Sequence, residues 1–486
     1  MPNKTLLLSL LLITINLYAQ NSLVKQALLS NSQLLYFPQR EDVTNFTDIF
    51  QKADVYGRLR NNNFYYIYED QDNTHQTQLM SGVGGSLLLK SARFYGFDAD
   101  LAFYYTKSFH SLDDATLFKS GKDTLSRFDY INSGKDDMTV LGQANIGYSY
   151  NKTEIRVGRQ LVETFYTKSN DTKMIPNTFD GIVARTAELP QTKLTFAYLV
   201  KQKLRDHQES HALFMVGDSL SAPNAINPQW SENDDSVMLK GLTYTALLEA
   251  GKPTDAPLII FEGKNRSLKD LSLSFSSYHI PELLSQLMLE TNYKINLQGF
   301  SLTPGVRYIH QFDHGAGAVG GASLTPLEDG DTSYKDPDSL EADMIAARVV
   351  AKFSDYKLNL GYTNILNKAD LVTPWRGFPT SGYTRSMGIY NWKANTKSYR
   401  IELVKGAKQK GIYKKPYIQT SLLYIDGDSM KSSTAQSLYY YAALIQNLPS
   451  LLNFQYKVRL GYRDFIASSS QKSDYLDARF ELNYLF

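Results

Sequence analysis

The stretch LLNFQYKVRLGYRDF, residues 451–465, alternates apolar and polar side chains along nearly its whole length. Period two puts Leu452, Phe454, Tyr456, Val458, Leu460 and Tyr462 on one face of a strand. Asn453, Gln455, Lys457, Arg459, Gly461 and Arg463 fall on the other. Strands of soluble sandwiches run to about 5 to 6 residues, whereas a strand that crosses a bilayer needs about 9 to 11. A greasy stripe set against a charged one over this length points to a strand between lipid and water.

The pattern recurs in DYKLNLGYTNIL from Asp355, TKLTFAYLVK from Thr192 and SYRIELV from Ser398. It is also the pattern of the closing stretch, where Ala478, Phe480, Leu482, Tyr484 and Phe486 share a face. Composition agrees. The chain has 34 Tyr and 24 Phe yet a mean hydropathy of -0.33, the mixture produced by strands wetted on one side only. Lys4 followed by an apolar run from Thr5 to Leu17 and then LYAQ has the order of an export signal, with cleavage expected after Ala19. No later apolar run is long enough for a membrane helix, which needs about 20 residues. The expected class is therefore all-β, a transmembrane antiparallel barrel in a bacterial outer membrane. A formal net charge of +2 gives no reason to expect nucleic acid as a partner.

Short connections near residues 93, 151, 189, 296, 354 and 448 alternate with long ones near 107–138, 160–180, 202–236, 312–340 and 367–396. Tight turns on one side and large loops on the other are expected of such a barrel. We count seven strands before the 202–236 loop, nine from Leu283 onward, and two between them near Val237–Leu247 and Asp270–His279, about 18 in all. The expected division is a signal over 1–19, a periplasmic segment over 20–52 whose amphipathic first part is a short helix or a loose arm, and a barrel over 53–486.

The polar faces carry the candidate chemistry. They hold Arg156, Arg185, Arg307, Arg348, Arg400, Arg459 and Arg463, and further cations including Arg58, Arg60, Lys457 and Arg479. Facing a lumen, guanidiniums stay hydrated and offer planar forks to carboxylates. The bland alternative is that each pairs with a wall acid such as Asp98, Asp100, Glu154, Glu402 or Glu481. Gly315, Gly317 and Gly320 have dinucleotide-site spacing, but ASLTPLEDGDTSYKDPDS follows where a helix is needed, so a loop is expected. His207 and His211, like His310 and His314, stand four apart with no third ligand in view, so neither a metal nor another cofactor is expected. No G-x-S-x-G occurs, and no enzyme is expected.

The stretch IRVGRQLVETFYTKSNDTKMIPNTFDG resembles the OprD family of substrate-specific outer-membrane porins, in the branch found in epsilon-type proteobacteria. Gly158, Arg159 and Gln160 match the end of a strand, and Asp171, Met174, Pro176, Asn177, Thr178, Phe179 and Gly181 match a following loop. Lys173 stands where the family has Arg, keeping the charge and losing the fork. TDIFQKADVYGRLR, YKDPDSLEADMIAAR and PWRGFPTSGYTRSMGIYN carry the resemblance further.

The resemblance implies an 18-stranded monomeric channel narrowed by two inward loops, near 161–180 and 367–396. Asp171, Lys173, Met174, Pro176, Asn177 and Phe179 would shape the first. It also implies an arginine track that guides carboxylates, and a final strand ending in Phe486 that barrel-assembly machinery reads. The expected partners are small anionic or zwitterionic solutes, together with outer-membrane lipid and lipopolysaccharide. The expected function is passive diffusion of amino acids and organic acids. The alternative is an adhesin or structural barrel that binds partners through its long loops.

Overall fold

The computed structural model describes residues 24–69, 77–110, 124–233, 238–239, 241–324, 334–428, 430–431, 436–466 and 473–486. The expected signal over 1–19 lies outside these residues. Eighteen antiparallel strands among them close into a barrel. The first nine are β1 (Asp54–Tyr68), β2 (Gln78–Lys90), β3 (Phe97–His110), β4 (Asp137–Tyr150), β5 (Thr153–Gln160), β6 (Thr178–Thr186), β7 (Thr192–Lys203), β8 (Leu258–Asn265) and β9 (Leu271–Ile280). The others are β10 (Leu284–Tyr293), β11 (Phe300–Asp313), β12 (Ala342–Phe353), β13 (Tyr356–Ile365), β14 (Thr396–Lys405), β15 (Tyr417–Asp426), β16 (Ser437–Leu448), β17 (Leu451–Phe465) and β18 (Tyr475–Leu485).

The period-two reading holds residue by residue. On β14, Tyr399, Ile401 and Leu403 are 47%, 47% and 42% exposed on the outside, while Arg400 and Glu402 between them are 7% and 4% exposed on the inside. The seam pairs β18 with β1, from Tyr475 opposite Tyr68 to Leu485 opposite Arg58. Closure leaves no edge strand and satisfies every ladder from within, as hydrocarbon requires. Gly57 and Phe486 exchange backbone bonds of 2.7 and 2.9 Å at the end of that seam.

One expected strand is corrected. The eighth strand is Leu258–Asn265, not a segment near Val237–Leu247. Residues Tyr244–Glu249 instead form a helix whose N-terminus is capped by Thr243, the side chain accepting from Ala246 N. TYTALLEA combines a capping residue with good helix formers, while LIIFEGKN has the branched and aromatic residues of a strand. Val237 itself lies outside the described residues.

The first part of the segment before the barrel is a hairpin rather than a helix or a loose arm, and a short helix, Asp48–Gln51, follows it ahead of β1. Gln26–Leu28 pairs with Leu34–Tyr36 in a hairpin, with Ser32 taking the positive φ of the turn. It sits in the short-turn mouth of the barrel, with Ala27 and Leu28 fully buried. Gln26 Nε2 donates to the carbonyls of Gly57 and Phe486 at 2.7 and 3.1 Å, across the closing seam. Gln455 donates to Leu28 O, and Lys457 Nζ to Ser30 O and Ser32 Oγ. An extended backbone presents carbonyls sideways to the wall, which a helix would consume internally.

At the other end the long loops turn inward. Tyr166, Phe214, Trp375 and Tyr383 from three loops join wall residues such as Tyr278 and Met344 in one apolar cluster. That cluster fills the side of the lumen lined by β6–β13.

Candidate functional site: a cationic cavity in the barrel lumen

Two loops build the site. Loop 161–177 is tied to the wall through Asp171, whose carboxylate accepts from Arg58 Nη1 at 2.7 Å and Arg60 Nη1 at 2.5 Å. Both guanidiniums also reach Glu481 at 3.0 Å. Asn62 holds the carbonyls of Thr172 and Lys173, and Lys203 Nζ donates to Pro176 O at 3.1 Å. Met174 packs with Tyr56, Tyr104 and Met138, Phe179 belongs to the large apolar cluster, and Asn177 N bonds Ser169 O. These three residues hold the loop's shape and do not line the cavity described below.

Loop 366–395 is pinned by two of the expected guides. Arg307 forks onto Glu290 and donates to Pro379 O at 2.6 Å and Ser381 O at 3.0 Å. Arg348 donates to Gly382 O at 3.0 Å and to Glu290 and Asn292. Both cations lie over the Tyr383 ring, at 4.5 and 4.6 Å; burial and the nearby Glu290 push the Tyr383 hydroxyl up to about 12. The two loops join each other: Lys168 N donates to Trp375 O, and Gly377 N to Tyr166 O, both at 2.9 Å.

Three more guides are also spoken for. Arg156 is held by Asp98, Asp100 and Glu154, and Arg185 approaches Glu154 at 3.8 Å. Arg463 donates to Ser437 Oγ and stacks on Phe465. Arg156, Arg185, Arg307, Arg348 and Arg463 are therefore not brought to a common site. Each meets an acid, a carbonyl or a ring nearby, and sequence spacing does not reveal such a partner.

Arg400, Arg459 and Lys173 are brought together. They line a cavity of about 370 Å³ between the two loops and the wall from β14 to β18. Arg479 joins them from the wall, and Arg205, Arg376 and Arg385 from the loops; Asn31 at the tip of the N-terminal hairpin touches the same space. Among the described residues no carboxylate lines it. Phe64, Phe378, Tyr390 and Tyr441 supply an apolar surround. Arg385 lies over Phe378 at 4.4 Å, with Tyr390 and Trp392 at 5.6 and 5.7 Å. Burial lowers its pKa to about 10, so it remains charged at neutral pH.

The sequence reading did not single out Arg205, Arg376 or Arg385. The one signal available was Arg376 and Arg385 inside the aromatic PWRGFPTSGYTRSMGIYN. Among the described residues no group of three or more His, Cys, Asp or Glu is placed to hold a metal. His310 bonds Asp343 at 2.7 Å, and the His207 and His211 rings lie 4.8 Å apart at a tilt of 38° in a loop. The glycine stretch forms a short helix, Ala316–Gly320, with the Asp313 carboxylate accepting from Gly315 and Gly317 N. An acid already occupies the place a phosphate would need.

The model of the outer membrane porin, OprD family, matches residues 96–437. None of the curated proteins matches the chain. Among solved structures, the barrel is similar to Pseudomonas aeruginosa OccK8 (OprE), with a TM-score of 0.65 at 14% identity over 90% of this chain and 99% of that one. Acinetobacter baumannii OccAB4 gives 0.64 at 14% identity, covering 89% and 98%. Pseudomonas aeruginosa OpdK with vanillate gives 0.63 at 13%, covering 89% and 98%. With its 18-strand barrel and a family match over most of its length, the chain belongs to the OprD family of outer-membrane porins, channels of the bacterial outer membrane and not enzymes.

Proposed function

We propose that this porin passes small carboxylate-bearing solutes, amino acids and organic acids, past the cavity between loops 161–177 and 366–395. The observation that supports the reading is a lumenal cavity lined by cations from wall and loops and, among the described residues, by no carboxylate. A guanidinium presents two parallel N–H groups that match the two oxygens of a carboxylate. Arg400 and Arg459 are the wall guides in this reading, and Lys173 adds a point charge from the loop. Arg156, Arg307 and Arg348 brace wall and loops, as does the Asp171 link to Arg58 and Arg60. No bond is made or broken; the solute exchanges water for guanidinium and then releases it, so each contact must be weak enough to leave. The vanillate named with OpdK, an aromatic carboxylate, is compatible with a cationic site that has aromatic walls.

The adhesin alternative is disfavoured by the family and by the loops, which bury Tyr166, Phe214, Trp375 and Tyr383 inside the barrel. The test is single-channel current in a planar bilayer with carboxylates added as competitors. Arg400→Gln combined with Arg459→Gln should weaken carboxylate competition by about tenfold or more, the loss of one or two charge-assisted hydrogen bonds. An unchanged response would eliminate the guide role of both residues.

A further inference from the structure

We infer that the cavity selects solutes carrying two or more carboxylates, gripped by Arg385 from the loop and by Arg400 and Arg459 from the wall. This rests on the carboxylate reading above and narrows it.

The first ground is charge. Among the described residues, the acids that meet Arg400 and Arg459 are shared with other cations. Asp477 serves Arg479 at 2.6 Å, Glu402 serves both Arg400 and Lys357, and Asp206 meets Lys173 at 3.4 Å. Glu481, already bonded to Arg58 and Arg60, is the acid nearest Arg459, at 3.6 Å, and lies 4.0 Å from Lys457 as well. Even with Asp171 also serving Arg58 and Arg60, two carboxylates are thus divided among four cations. A solute with a single negative charge leaves this cavity net positive, and a second charge is attracted by the remainder.

The second ground is unused donors on two sides. Arg459 is 8% exposed, and its Nε and Nη2 make no hydrogen bond with the protein; Arg400, 7% exposed, leaves Nε unused. Arg385 leaves Nε and Nη1 unused, while stacking on Phe378 fixes the plane of its guanidinium. Buried donors are normally satisfied, and those that are not point to something that completes them. Arg400 and Arg459 sit on β14 and β17 and Arg385 on loop 366–395, and all three line the same cavity. One carboxylate has two oxygens and fills one fork. Forks on the wall and on the loop are filled together only by a molecule with an anionic group at each end, short enough for about 370 Å³.

The experiment uses the full mature chain, purified and reconstituted in planar bilayers, with acetate, succinate and tricarballylate compared at fixed ionic strength. Succinate or tricarballylate should compete with the ion current at about one-tenth the concentration that acetate needs, the gain from one further charge-assisted fork. Arg385→Gln should bring the three competitors to within about twofold of one another. Arg385→Lys, which keeps the charge and loses the fork, should still narrow the gap; it also serves if the first variant does not assemble, as read from heat-modifiable migration. Equal competition by all three on the unmodified channel would overturn the inference and leave the carboxylate reading standing. Competition by none would overturn both.

Discussion

At the scale of single residues, the site depends on where a side chain is absent as much as on where a charge is present. Gly377 lies where loop 366–395 meets loop 161–177, and a Cβ there would fall onto the backbone carbonyls of Phe165 and Tyr166. Gly377→Ala must push the loops apart, at a cost of about 1–3 kcal/mol. We expect a larger single-channel conductance and weaker carboxylate competition, because the loop cations move away from Arg400 and Arg459. A histidine supplies a pH response in the same loop system. His211 is 2% exposed, stacked on Trp230 at 5.5 Å, with Nδ1 donating to Ala212 O at 2.8 Å. Burial, with His207 and Lys203 nearby, lowers its pKa well below the ordinary value. An unfolded histidine takes a proton near pH 6.5 and this one does not, so its stabilising contribution is present above that pH and lost as pH falls through it. Hydrogen exchange of residues 204–216, corrected for the intrinsic rate, should accelerate between pH 7.5 and pH 5, and His211→Phe should remove most of that acceleration.

At the scale of elements, the N-terminal hairpin stands out. It bonds to both sides of the seam through Gln26 and to β17 through Gln455 and Lys457, and its tip reaches the cationic cavity at Asn31. Deleting residues 24–37 removes matter from the inner mouth without touching a barrel strand. The expected result is a higher conductance with the anion preference retained, since Arg400, Arg459 and Arg385 stay in place. Unchanged conductance would mean that solutes already pass beside the hairpin. The helix at Tyr244–Glu249 passes for a strand in the sequence because six residues are too few to display a helical period, and its cap, Thr243, looks like any turn residue.

At the scale of the molecule, the lumen is divided. One side is filled by apolar loop residues, and the other, toward β14–β18, keeps the cavity with its surplus of cations. Cations that line an open cavity are reached by salt, so their field is subject to screening. The Debye length falls from about 10 Å at 0.1 M to about 3 Å at 1 M salt. Reversal potentials across a salt gradient should therefore report anion preference that declines as the mean ionic strength rises. Preference that holds at 1 M would mean that direct contact, not the summed field, sets it.

Much of this was legible in the sequence because a membrane strand imposes its rule locally. Each residue must face either lipid or lumen, so Tyr399, Arg400, Ile401 and Glu402 declare their sides with no knowledge of their neighbours. Seven strands before residue 204 and nine from Leu284 onward follow from that alternation alone. Which lumenal arginine is held and which is offered could not be read, because a guanidinium's partner lies on another strand or an inward loop. Arg307 and Arg459 look alike in the sequence. The fold gives the first its acid from the neighbouring strand and two carbonyls and a tyrosine ring from an inward loop, and leaves two nitrogens of the second without a hydrogen bond.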